Sequence, residues 1–334
     1  MTTPLDPDRP VRWGIHGAGG IARQTAATIA ASPDSVVQAV AARDADRAAA
    51  FAGEFGAATS YGDYAALAAD PEVDVVYVAT THGQHHRQVR ALLEAGKPVL
   101  VEKSFTLTAD QAQDLADLAA REHLFCMEAM WTRCLPTVRA AVEAAQTRLG
   151  RIIGLRTDLS RRFPYDPAHR LWDPATGGGV SLDMGVYVTH LAWAFLGPPE
   201  SLAIGGRLAP NGVDASVALQ LGYPDGGVAQ LAASFETTTA GPHTVVSGED
   251  GHLVMTGRTH DPDRVTLVID GEEETVAVGN REGFAPQIAE VERALRDGDL
   301  ESPLVPLIDT IGVLRVLDAA REELGVSYGD LENL

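Results

Sequence analysis

Between a six-residue run rich in β-formers, 11–16, and a helical stretch, 21–32, the chain reads Gly17-Ala18-Gly19-Gly20-Ile21-Ala22. This matches G-x-G-x-x-A in the strand–turn–helix setting that gives the motif its meaning, and no other feature constrains the fold as much. Gly17 permits the tight turn, Gly19 lets backbone approach a pyrophosphate, and the small Ala22 allows helix to pack closely on strand. The helix start at Gly20 and Ile21 then turns N–H donors and the positive end of the helix dipole toward an anion. The expectation is a βαβ unit that holds a dinucleotide.

The pattern that follows supports a parallel sheet. An apolar run at 36–42 leads to an Ala-rich helix at 45–55, and 74–79 (DVVYVA) is nearly continuous apolar, as in a strand buried on both faces. A helix over 84–95 stops at Gly96, a strand follows at 98–102, a helix at 110–122 and a short strand at 124–127. Beyond a helix at 137–149 the rhythm changes. A strand at 151–159 runs into a Pro/Gly/Arg-rich loop reaching Gly179, then a helix over 181–196. From 202 to 278 short strands are separated by turn sequences at Asn211-Gly212, 224–227 (PDGG), 249–251 (EDG) and 270–272 (DGE), which predicts an antiparallel sheet. Helices over 284–297 and 306–324 close the chain. The fold class expected is α/β: a Rossmann dinucleotide-binding domain, 1–127, joined to an α+β domain, 128–334, with a large open, mainly antiparallel sheet.

Composition narrows the partners. The 334 residues carry 26 Lys plus Arg against 46 Asp plus Glu, a formal net charge of −20, so a nucleic-acid backbone would be repelled. With 45% hydrophobic residues the chain has material for a core and is not of disordered type. No stretch approaches the ~18 uninterrupted apolar residues of a membrane helix. MTTPLDPDRP at the N-terminus lacks the basic-then-apolar pattern of a signal peptide, and two cysteines, Cys126 and Cys134, make no disulfide scaffold. A cytoplasmic protein acting on a small molecule is expected, with neither nucleic acid nor membrane as partner.

Several residues then carry chemistry. At the tip of the second strand stands Ala41-Ala42-Arg43-Asp44, with Arg47 close behind. A carboxylate at the tip would hold the ribose 2′-hydroxyl of NAD, whereas Arg43 suits a 2′-phosphate, so NADP is favoured and NAD remains the alternative. Lys103 ends the run VLVEK, at the carboxyl edge of a parallel sheet where open α/β folds bind ligands. Asp183 and Tyr187 lie four apart on a helix, hence on one face, after Gly177-Gly178-Gly179. A tyrosine beside a lysine, whose charge favours the ionised phenol, can take or give a proton. His82 and His85 follow the strand tip at Thr80, with no companion ligands spaced for a metal.

At these residues the chain resembles the glucose–fructose oxidoreductase/inositol dehydrogenase/rhizopine-catabolism (Gfo/Idh/MocA) family. The runs that carry the resemblance are VRWGIHGAGGIA, VYVATTHGQHHRQVRALLEAGKPVLVEKS and GGGVSLDMGVYVTHLAWAFLG. Glu128-Ala129-Met130-Trp131-Thr132-Arg133, and a Tyr where the family usually has His, look closest to its dimeric dihydrodiol dehydrogenase and NADP-dependent D-xylose dehydrogenase branch. The resemblance implies an oxidoreductase that passes hydride between nicotinamide and a carbinol or hemiacetal of a small sugar, polyol or cyclic dihydrodiol. It implies Lys103, Tyr187 and Asp183 as catalytic groups, although Ser104 replaces the usual Pro after the lysine. It places Thr80, His82, His85 and Glu102 beside the cofactor, and Trp131, Arg133 and Arg170 at the substrate pocket. It also implies a homodimer or tetramer that pairs through the exposed face of the second domain's sheet. The competing expectation is a non-catalytic NAD(P)-binding sensor of the same fold.

Overall fold

The computed structural model describes residues 4–239 and 244–333; residues 1–3 of the N-terminal stretch, 240–243 of the strand-rich region and the last residue lie outside it. The chain forms two compact units, one of residues 4–130 with Phe284–Ile308 and one of Trp131–Gly283 with Asp309–Asn333.

The first unit alternates β1 (Val11–His16), α1 (Gly20–Ala31), β2 (Ser35–Ala41), α2 (Ala45–Phe55), β3 (Thr59–Tyr61), α3 (Tyr64–Ala69), β4 (Val75–Val78), α4 (His82–Glu94), β5 (Val99–Val101), α5 (Ala109–Glu122) and β6 (Cys126–Glu128). Its strands lie in the order β3-β2-β1-β4-β5-β6, every pairing parallel. All four residues of β4 are buried, which explains the unbroken apolar run. The helix starts follow local chemistry: Asp44 accepts the Arg47 N–H at the head of α2, and Thr108 accepts the Gln111 N–H at the head of α5. Strand order reverses between β1 and β4, so their carboxyl ends flank the crevice where such sheets bind ligands.

Two features of this unit differ from expectation. The three-residue β3 and the one-and-a-half-turn α3 were not anticipated, because elements so short show no periodicity. The segment expected to belong with the second domain, Phe284–Ile308, instead packs with the first. Its helix, labelled α9 (Ala285–Asp297) in chain order, has a buried carboxylate, Glu292, that accepts from both Ser32 and Ser35 at the start of β2. The N–H of Cys126 also donates to Leu300 O at 3.0 Å, adding a tie at β6.

The second unit opens with α6 (Trp131–Cys134), α7 (Pro136–Arg148) and β7 (Ile152–Ser160), and continues with α8 (Val186–Leu196), β8 (Ser201–Leu208), β9 (Asp214–Gly222), β10 (Val228–Ser234), β11 (Thr244–Gly248), β12 (His252–Arg258), β13 (Asp261–Ile269) and β14 (Glu272–Val278). From Asp309 it also includes most of α10 (Leu307–Leu324). The eight strands run β14-β13-β12-β11-β7-β10-β9-β8. Every neighbouring pair is antiparallel except β7 with β10, which is parallel. The sheet is therefore mixed and mainly antiparallel. Asp270 and Gly271 both take left-handed φ, 53° and 82°, as the two central residues of a tight hairpin require. Helices α7 and α8 cover one face, while the other leaves Arg156, Gln230, Gln220 and Ala203 paired in a row on its open side.

Candidate active site

In the first unit the glycine loop fits its sequence reading. Gly17 has φ +103°, and a Cβ there would lie 3.1 Å from Ala79 O on the loop after β4. Gly19 caps α1 in extended conformation with no side-chain acceptor, and the first turn holds no acidic residue. The N–H groups at Gly20, Ile21 and Ala22 thus head an uncapped, positively polarised helix end, and nothing stands within 4 Å of a Cβ at Gly20. Arg43 is exposed just past β2. Arg47, one helical turn on, is committed elsewhere: its guanidinium donates to Ala18 O from Nε at 3.1 Å and Nη2 at 2.6 Å.

The loops after β4 and β5 are tied together by two histidines. His82 Nε2 lies 3.2 Å from Lys103 O. His85 directs Nδ1 at Ser104 O (3.0 Å) and Phe105 O (3.2 Å), and Nε2 at Thr80 O (3.1 Å). Burial pushes the His85 imidazole below its usual range, against the pull of those carbonyls toward the charged form. With 0% of its surface exposed, His85, expected beside the cofactor, lies against the backbone of the Lys103 loop as a brace. Thr80 remains half-exposed at the crevice and Lys103 half-buried; the peptide after Lys103 is cis. Glu102 also departs from expectation. Its buried carboxyl accepts the Tyr77 hydroxyl, to which Thr25 donates at 3.0 Å, so the side chain faces the interior of the unit. Burial first, offset in part by Tyr77 and the Lys103 charge, pushes Glu102 up to about 7.

In the second unit the triple glycine admits a carboxylate. A Cβ at Gly179, where φ is +126°, would lie 2.1 Å from Asp214 Oδ1. Asp214 Oδ2 accepts the Ser181 N–H at 2.7 Å, and the Tyr328 hydroxyl donates to Gly178 O at 2.6 Å. This anchors a π turn, Ser181–Gly185, that runs directly into α8 where a plain helix was expected. Such turns occur often at functional sites, and this one carries Asp183.

Five residues, four of them expected from the sequence, form a pair and a cluster beyond that turn. Asp183, buried, lies 3.4 Å from Nη1 of the more exposed Arg170. The Tyr187 hydroxyl, on a side chain 8% exposed, accepts the Trp131 indole N–H at 3.0 Å. His260, in the β12–β13 turn, completes the group: its ring centroid is 5.2 Å from Tyr187 and 5.7 Å from Trp131. Thr132 Oγ1 donates to His260 O at 2.8 Å, which fixes that turn against α6. Nothing in the sequence marks His260, a lone histidine in a short turn. Arg133, expected at the substrate pocket, does not join this group. It pairs with Asp309 at 2.7 Å, whose other oxygen accepts the Trp193 indole N–H at 3.0 Å. Two positions apart on one helical turn, Trp131 and Arg133 project in different directions.

Comparison with known proteins agrees with this architecture. A model of an oxidoreductase family with an NAD-binding Rossmann fold matches residues 11–130, and the GFO/IDH/MocA C-terminal domain model matches residues 137–254. The chain is 34% identical to a trans-1,2-dihydrobenzene-1,2-diol dehydrogenase of Mus musculus, covering 95% of this chain and 98% of that one. It is 31% identical to a D-xylose 1-dehydrogenase (NADP(+)) of Hypocrea jecorina, covering 96% and 94%. Among solved structures it superposes on KijD10, a 3-ketoreductase from Actinomadura kijaniata in complex with NADP and TDP-benzene, with TM-score 0.83 at 26% identity, covering 94% of this chain and 98% of that one.

Proposed function

Because the chain belongs to the Gfo/Idh/MocA oxidoreductase family, we propose that it is an NADP-dependent dehydrogenase oxidising a carbinol or hemiacetal of a small sugar, polyol or cyclic dihydrodiol. The hydroxyl of Tyr187 carries this reading: an acid–base group, nearly buried, held by an indole N–H and flanked by the flat rings of Trp131 and His260.

The residues present suit a dinucleotide. Gly17 makes the turn against Ala79, Gly19 and Gly20 leave room for a pyrophosphate against the α1 N–H groups, and Arg43 is the exposed cation for a 2′-phosphate. When bound, the nicotinamide supplies the hydride acceptor. The chain's own work is then to orient the carbinol and take its proton. Tyr187 Oη receives the O–H proton as the C–H hydride departs, leaving a carbonyl. Lys103 acts with Tyr187 by favouring its ionised form, and Asp183, set by Arg170, orients the substrate hydroxyls.

We assign the same protein to the cytoplasm and to a homodimer or tetramer that pairs through the open face of the second unit's sheet, lined by Arg156, Asp158, Ala218, Gln220 and Gln230. None of the helices among the described residues is long and apolar enough to cross a membrane. Turnover of a panel of pentoses, hexoses and cyclic dihydrodiols with NADP⁺ tests the activity. Binding of NADP⁺ with turnover of none of them would replace the enzyme by a sensor of the same fold.

A further inference from the structure

We infer that Trp131 is a positioning residue for the proton step: its indole N–H holds the Tyr187 oxygen and stabilises the ionised form of that side chain. The family resemblance implies a place for Trp131 at the substrate pocket, and the geometry adds a bond to the Tyr187 oxygen. An indole nitrogen only donates, so in the 3.0 Å contact the Tyr187 oxygen is the acceptor, and its own O–H proton takes no part in the bond. A donor aimed at a phenol oxygen strengthens when that oxygen becomes an anion, because hydrogen bonds to charged groups are the stronger class. The inference rests on the reading of Tyr187 as the base.

The fold fixes this contact from several sides. Trp131 opens α6, and the next residue, Thr132, is bonded to His260 O at 2.8 Å, so the indole and the β12–β13 turn are set by adjacent residues. His260 meets the indole nearly edge-on, at 76°, and lies tilted at 39° to the Tyr187 ring. On the same unit His260 of the β12–β13 turn faces the Tyr187 ring, and Asp183, one turn back along the chain, is paired with Arg170. Arg133, on Trp131's own helical turn, is engaged by Asp309.

The test reads ionisation directly, in full-length protein with NADP⁺ added. Tyrosine labelled at Cζ is followed by NMR against pH, with the Tyr187 signal assigned by its loss in Tyr187→Phe. Trp131→Phe is expected to move that titration about one pH unit upward, roughly a tenfold loss of the ionised form at fixed pH. The rising limb of the oxidation rate should move with it, with KM nearly unchanged. Incorporating a benzothienyl analogue at position 131 exchanges the N–H for sulphur and keeps ring volume, so it separates the hydrogen bond from packing and serves should Trp131→Phe fail to fold. The analogue is expected to reproduce the shift. An unmoved Tyr187 titration in the analogue overturns the inference, as does a shift that vanishes in a His260→Gln background. These outcomes are independent of catalysis: if Tyr187→Phe keeps near-normal kcat, the assignment of the base fails, whatever the titration shows.

Discussion

The guanidinium of Arg47 donates twice to the carbonyl oxygen of Ala18, inside the glycine loop, from Nε at 3.1 Å and Nη2 at 2.6 Å. Two arginines four residues apart thus differ in engagement, since Arg43 is exposed at the tip of β2 while Arg47 is tied to the glycine loop. Arg43→Ala should weaken NADP⁺ by about ten- to a hundredfold, as expected for loss of a charge-assisted contact, and leave NAD⁺ nearly unchanged. Arg47→Ala should weaken both cofactors alike. Calorimetric titration with each cofactor decides this, and an equal loss for both on Arg43→Ala would remove the 2′-phosphate assignment.

Tyr187→Phe keeps the ring against His260 and deletes the hydroxyl. We expect kcat to fall by about 10²–10⁴, the usual contribution of general acid–base catalysis, with cofactor affinity preserved. Lys103→Met should also cripple turnover, and the double variant should be little worse than the more damaging single, because residues acting as a unit are not additive. Asp183→Asn should raise KM at least as much as it lowers kcat. Steady-state kinetics on the four proteins, checked against binding of NADP⁺, separates these effects.

His85 bridges the loops after β4 and β5 through Thr80 O, Ser104 O and Phe105 O. His85→Ala removes the one N–H that the neutral ring donates to these carbonyls and empties a fully buried site, so it should destabilise the fold by about 2–4 kcal/mol and lower kcat through the displaced Lys103 loop. A direct cofactor ligand would behave otherwise, weakening binding with the unfolding midpoint intact. Urea unfolding alongside cofactor titration tells the two apart.

Two buried groups give opposing pH dependences. Burial above all, and then the nearby His85, pushes His16 down to about 3 from an ordinary 6.5. The unfolded chain therefore binds the proton more readily, so this contribution to stability is complete above about pH 6.5 and is lost as pH falls toward 3. Glu102 has the reverse sign. Raised to about 7 from 4.5, it contributes below pH 4.5 and loses that contribution as pH rises through 7. His16→Phe, which preserves the stack on Tyr64, should flatten the acid side of the stability profile by on the order of a few kcal/mol, and Glu102→Gln the neutral side. Denaturant midpoints from pH about 4 to about 8 check both signs.

Gly179 and Gly197 both have left-handed φ, +126° and +74°, yet differ in surroundings. A Cβ at Gly197 meets nothing within 4 Å, whereas one at Gly179 would collide with Asp214 Oδ1. Gly197→Ala should cost about 1–3 kcal/mol from backbone strain alone, since φ +74° with ψ −154° is a region kept essentially to glycine. Gly179→Ala should cost clearly more, about 3 kcal/mol or above, and displace the π turn bearing Asp183. Comparable losses in equilibrium unfolding would mean that Asp214 yields without penalty.

The sequence by itself determined whatever depends on neighbours along the chain. The glycine loop before α1, the unbroken VVYV of β4 and the Asp270-Gly271 hairpin are set by side-chain size, φ preference and periodicity over a few residues. All were legible, and so was the position of Lys103 at the end of a parallel strand. Only the tertiary structure decided the rest. The Trp131–Tyr187 bond joins residues 56 positions apart, Thr132 and His260 are 128 apart, and Ser35 and Glu292 are 257 apart. Such pairings leave no trace in local pattern, because each partner's own neighbourhood is equally compatible with solvent. That is why the pairing of Arg133 with Asp309 and the place of His260 went unmarked, and why Phe284–Ile308 returned to the first unit. Burial likewise came only with the tertiary structure: His85, with no surface left, and Glu102, with little, bond to the backbone and side chains packed around them.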